Sequence, residues 1–172
     1  MTTFAIATSI LSLALLAGFS ALSVRRFGWR KSYSAFAPKW TEAVPIHNAH
    51  LWSIVTVAVA FLLCPALLER GAGNPWQFLG FFAPVYLFVV SFTPEYQTDG
   101  KQRKIHVYGA ISCAAVSLLW IIFVTHLWWV VLIAFFAAWV AAYCTDTLGK
   151  SNIFWCEMAF FAATYAAVFI GG

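Results

Sequence analysis

Six stretches of nearly uninterrupted apolar sequence, at about 4–24, 48–68, 76–93, 105–124, 127–144 and 152–170, leave this chain little choice of surroundings. About 20 apolar residues in a helix cross a hydrocarbon core about 30 Å thick. Backbone that enters lipid must satisfy its own hydrogen bonds, so only helices and closed barrels can do so. Barrel strands would alternate apolar and polar residues over about ten positions, whereas these runs are apolar all round. The expected fold is an all-α membrane protein, a single domain over 1–172 built as a bundle of about six transmembrane helices. The third and fifth runs are short and would need little tilt or a locally thinned bilayer.

Composition agrees. The chain is 63% hydrophobic and 9% charged, against about 25% charged in soluble domains. A soluble fold of this length could not hide so much apolar surface. The net charge of +4 comes from basic residues between the apolar runs, where topology explains them better than nucleic acid does. Cys64, Cys113, Cys144 and Cys156 all lie in apolar runs without a C-x-x-C pair and read as small buried hydrophobes.

Charge asymmetry sets an expected orientation. With six spans, the segments 25–47, 94–104 and 145–151 share one side. They carry Arg25, Arg26, Arg30, Lys31, Lys39, Lys101, Arg103, Lys104 and Lys150, while Arg70 stands alone on the other side. Lys and Arg are retained in the cytoplasm during insertion. Both termini are therefore expected outside, in a bacterial cytoplasmic (inner) membrane. The first run reads as a span rather than a secretion signal, because its basic residues follow it instead of preceding it.

Trp76, Trp128 and Trp129 fall where the outer interface should be, and Trp29 and Trp40 where the inner one should be, as aromatic anchors do. Phe27, Trp29, Tyr33, Phe36 and Trp40 alternate with basic residues. That mixture reads as an interfacial segment lying flat in the headgroups, rings down and charges up. Pro65 and Pro84 should bend their helices, and Pro94 is placed to stop the third. Ala14 with Gly18, Ala110 with Ala114, and the stripe Ala159, Ala163, Ala167 mark close helix contacts.

Candidate chemistry gathers toward the basic side. Glu157 should stand about 7–8 Å into the last helix. A carboxylate there is costly. It should find a partner, take up a proton, or snorkel to headgroups and water. Glu157, Phe161, Thr164 and Val168 share one helical face, with the alanine stripe nearly opposite. Glu157 is therefore expected to face protein rather than lipid. His50 and His106 are the companions for acid–base or proton-binding work, provided they come within about 2.6–3.2 Å of a shared proton. His47 and His50, spaced i, i+3, are weak metal candidates. No G-x-S-x-G, H-E-x-x-H or phosphate loop occurs, and no cofactor is implied. Asp99-Gly100 reads as a turn, and Asp146 with Thr147 as a helix-terminating turn.

The stretches Tyr33-Ser34-Ala35, Asn74-Pro75-Trp76-Gln77-Phe78-Leu79 and Lys101-Gln102-Arg103-Lys104-Ile105-His106 resemble small uncharacterised multi-pass membrane proteins of gut Bacteroides-type bacteria and their phages. The resemblance covers about the middle half of the chain. It implies a bacterial or phage origin and no activity. The leading functional expectation is a non-catalytic accessory, assembly or small pore-forming component. Its partners would be membrane lipid and a second copy or another membrane protein, with no nucleic acid. A lipid-directed enzyme with an inner-leaflet acid/base site at Glu157, His50 and His106 is the first alternative. A proton-coupled small-molecule carrier is the second.

Overall fold

The computed structural model describes residues 1–44, 50–93, 96–97 and 99–171, and every regular element among them is helical. In chain order these are α1 (Thr3–Phe27), a 3-10 turn (Ser34–Phe36), α2 (Ala37–Ala43), α3 (Leu51–Arg70), α4 (Leu79–Ser91), α5 (Gly100–Trp120), a π-helical turn (Ile121–Thr125), α6 (Trp128–Cys144) and α7 (Asn152–Ile170). His47, Pro94 and Glu95, and with them the expected stop at Pro94, lie outside the described residues.

Among the described residues four helices are long and apolar enough to cross a membrane: α1, α3, α5 with its π turn, and α7. The other two of the six expected spans, the third and fifth runs, form shorter apolar helices. The third run gives α4, only 13 residues long, or about 20 Å. Its first residues go into turns instead. The Asn74 carbonyl accepts from Gln77 N–H (3.0 Å) and the Trp76 carbonyl from Leu79 N–H (3.0 Å), while Asn74 Oδ1 accepts from Trp76 N–H (2.8 Å). The fifth run gives α6, at 17 residues about 26 Å. α5 departs in the other direction. It starts five positions before the expected Ile105, because Asp99 caps it and accepts from Lys101 N–H (2.8 Å). Lys101, Arg103 and Lys104 are thus helical rather than in a loop.

The main helix pairs pack α1 on α3, α3 on α4, α4 on α5 and α6 on α7. α7 closes the bundle through thinner contacts with α3 and α5. Mid-bundle, Ser12 Oγ donates to the Val59 carbonyl (2.8 Å) and lies 2.6 Å from the Tyr165 hydroxyl, tying α1, α3 and α7 together. At one end Thr2 N–H and Oγ1 reach the Glu69 carboxylate (2.6 Å each), and Arg70 Nε donates to the Val168 carbonyl (2.6 Å). The other end gathers the connections rich in basic residues. There Phe154 N–H donates to the Lys31 carbonyl (2.9 Å), and Ser34 Oγ meets the Tyr96 hydroxyl (3.3 Å).

The aromatic and basic segment after α1 differs from its expected form. Tyr33, Phe36 and Trp40 are buried in protein, and of its basic residues Arg30 is half-buried while Lys31 is exposed. Trp40 stacks on Phe19 (5.2 Å) and donates from Nε1 to Ser23 Oγ (2.8 Å). Phe36 meets Phe154 edge-on (6.2 Å). Positions 33, 36 and 40 have the spacing of one helical face, and that face closes the end of the bundle. Trp40 is therefore a core residue, whereas Trp29, Trp76, Trp128 and Trp129 are exposed at the surface. Pro65 and Pro84 sit inside α3 and α4 as expected.

Candidate functional site

Glu157 stands in the second turn of α7. Two contacts fix the start of that helix. Phe154 N–H bonds to the Lys31 carbonyl, and Trp155 Nε1 donates to Thr147 Oγ1 (2.8 Å) in the turn before it. This lays the bent segment around Lys31–Tyr33 beside the first turns of α7. Tyr33 N–H then donates to Glu157 Oε2 at 2.6 Å. Oε1 has no hydrogen-bond partner among the described residues, and neither described ion pair, Lys39–Glu42 or Lys150–Asp146, involves Glu157.

The carboxylate lines a partly open cavity of about 100 Å³ within the bundle. Its walls are Leu63 and Leu67 of α3, Ala83 and Leu87 of α4, Ala110, Cys113 and Ala114 of α5, and Phe160, Phe161 and Thr164 of α7. Tyr33, Ser34 and Trp52 line it as well. The face shared by Glu157, Phe161 and Thr164 thus meets protein, and Ala159, Ala163 and Ala167 are each buried. Polar groups are sparse, as expected where apolar helices pack. Two of them, Tyr33 Oη and Trp52 Nε1, are buried without a hydrogen bond, although such groups normally find a partner. The neighbouring Thr56 hydroxyl is turned to the Trp52 carbonyl (2.8 Å). Burial is the main reason the Tyr33 phenol is held well above its ordinary range. Thr56 works against that rise, and Glu157 and Tyr165 add to it.

The histidines lie elsewhere. His50 precedes α3, with Nδ1 2.7 Å from Thr41 Oγ1. His106 is buried, with Nδ1 2.9 Å from Thr93 Oγ1 and its ring stacked on Tyr96 at 4.0 Å. Its ring lies 6.5 Å from that of Trp52, but His106 itself does not line the cavity. The structure therefore does not bring Glu157, His50 and His106 together. His47 lies outside the described residues, and among those described no group of three His, Cys, Asp or Glu could hold a metal.

Sequence reasoning found Glu157, Phe161 and Thr164 but missed Tyr33 and Trp52 as members of the site. Tyr33 was visible only as one ring among several in the interfacial segment, and Trp52 only as a bulky residue inside an apolar run. No spacing rule connects either to a residue more than a hundred positions away. The arrangement offers one carboxylate oxygen, aromatic faces and a small apolar space. No protein-family model, curated protein or solved structure matches the chain.

Proposed function

We propose that this chain is a six-span membrane protein that works by binding, without catalysis, a small amphiphile in the cavity beside Glu157. One observation carries the reading: Glu157, with one carboxylate oxygen that has no partner among the described residues, lines an apolar cavity together with Tyr33 and Trp52, whose hydroxyl and indole nitrogen are buried without a hydrogen bond. Binding sites combine this apolar lining with a few polar groups that orient the ligand. Against an acid–base enzyme stands the separation of His50 and His106 from the carboxylate. A carrier would use the same cavity with the addition of net flux.

In this proposal α4 and α6 also cross the bilayer, as short spans that the membrane accommodates by local thinning. The end of the bundle carrying nine of the ten Lys and Arg residues lies in the cytoplasm of a bacterium, and both termini lie outside. A reporter active only in the cytoplasm, fused to the C-terminus, should be silent, and strong activity would reverse the orientation. For the binding role, the test is a thermal-stability screen of purified protein in micelles with small neutral and charged amphiphiles. At least one should raise the melting temperature of the wild type and fail to do so for Ala114→Phe, which fills the cavity. A screen in which no compound separates the two proteins would defeat the binding role.

A second, compatible reading is an assembly role. It is favoured by α6, where Val130 and Ala142 are the only buried residues. Phe136, Trp139 and Tyr143 stack along its exposed side, 6.1 and 6.3 Å apart. Cross-linking in membranes should trap oligomers through a cysteine placed at Phe136, and a purely monomeric outcome would remove this reading.

A further inference from the structure

We infer that the cavity beside Glu157 recognises a small alkylammonium cation, a protonated amine on a compact apolar body. This rests on the cavity being a binding site and goes on to name its ligand class. Four observations point the same way. Glu157 carries a carboxyl group into largely apolar surroundings, and its one hydrogen bond among the described residues is from the Tyr33 amide at 2.6 Å. That bond leaves Oε1 able to accept, and the ion pairs among the described residues, Lys39–Glu42 and Lys150–Asp146, lie elsewhere. An intramembrane carboxylate is most cheaply held when a counter-charge meets it. A ligand that brings its own positive nitrogen supplies that charge together with N–H donors.

Aromatic rings line the same cavity as the carboxylate. Tyr33 lies 5.7 Å from Trp52 and 6.4 Å from Phe161, centroid to centroid, and all three line the cavity. The faces of such rings attract cations, most strongly where water is excluded. The Tyr33 hydroxyl is buried and without a hydrogen bond, and its oxygen can accept a second ammonium proton. Trp52 Nε1 can only donate, so Trp52 contributes its ring and not its nitrogen.

Size then limits the tail. A cavity of about 100 Å³ is smaller than the roughly 150 Å³ that accommodates benzene, which suits a body of about four carbons. The apolar side chains of Leu63, Leu67 and Leu87 are among its walls. A carboxylate ligand would face Glu157 with like charge, and an alcohol would fit the space without answering the charge.

The test is a ligand-observed NMR titration of the whole protein in micelles, with protein-free micelles as background. The probes are n-butylammonium, 1-butanol and butyrate. The expected result is saturable binding of n-butylammonium at least tenfold tighter than 1-butanol, with no saturable binding of butyrate. Glu157→Gln should weaken n-butylammonium at least tenfold and leave 1-butanol within about twofold. Phe161→Leu, which removes one ring and keeps the carboxylate, should weaken the cation more than the alcohol. The comparison of probes on unmodified protein decides the matter even if a variant fails to fold. Equal affinity for cation and alcohol, both lost in Ala114→Phe, would overturn the cation assignment and keep the cavity as a binding site. The absence of saturable binding by all three probes would remove both.

Discussion

The Tyr33 amide donates to the Glu157 carboxylate at 2.6 Å, joining residues 124 positions apart. This bond fastens the segment after α1 to the start of α7 and leaves one carboxylate oxygen to the cavity. It also explains how an acidic side chain sits inside a bundle without a basic partner. A backbone N–H that would otherwise be orphaned supplies one donor to the carboxyl group.

Glu157→Ala should destabilise the protein by about 1–3 kcal/mol, because the Tyr33 N–H then loses its acceptor in a buried setting. Glu157→Gln keeps an acceptor oxygen of the same reach and should cost less than about 1 kcal/mol. Denaturant titration in mixed micelles separates the two, and equal losses would show that the bond contributes nothing on its own.

Ser12 and Tyr165 form the mid-bundle tie between α1 and α7. Ser12→Ala and Tyr165→Phe should each destabilise, and the double variant should lose less than their sum. Interhelical bonds of this kind couple by about 0.6 kcal/mol on average, up to about 1.7. A double-mutant cycle measures the coupling directly, and additive losses would mean that the hydroxyls act separately.

Gly80 lets α4 approach α3 closely. A Cβ added there would stand 2.9 Å from the Leu67 carbonyl oxygen and 3.1 Å from Trp120 Nε1. The first contact is backbone and cannot swing away, so Gly80→Ala should cost about 1–3 kcal/mol through overpacking. The loss should appear as a lowered melting temperature, and an unchanged one would mean that α4 can slide outward freely.

Asp99 caps α5 through the Lys101 amide. Asp99→Ala should cost about 1 kcal/mol and fray the first turn, while Asp99→Asn should retain most of the cap. Hydrogen exchange at residues 101–104 reads the fraying locally. Equal protection in all three proteins would assign the start of the helix to packing alone.

The sequence by itself determined the medium and the building material. Runs of apolar residues near the length of a bilayer core commit the chain to helices, because lipid offers the backbone no other partner. It also determined the face of α7, since a period of 3.6 residues places Glu157, Phe161 and Thr164 together wherever that helix packs. Helix ends were less legible, because local capping outcompetes hydropathy there. Asp99 lengthened α5 toward its start, and the turns after Asn74 shortened α4. The tertiary structure decided what each face meets. The spacing of Tyr33, Phe36 and Trp40 describes an apolar face equally fit for lipid headgroups or for a protein core, and only packing against Phe19, Phe154 and Trp52 settled it. The same holds for the chemistry. His50 and His106 share an end of the bundle with Glu157, yet each bonds to a nearby threonine, Thr41 and Thr93, and neither reaches the cavity. Side-chain pairing acts over a few ångströms in space, and the order of residues along a chain carries no measure of that distance once helices fold across one another.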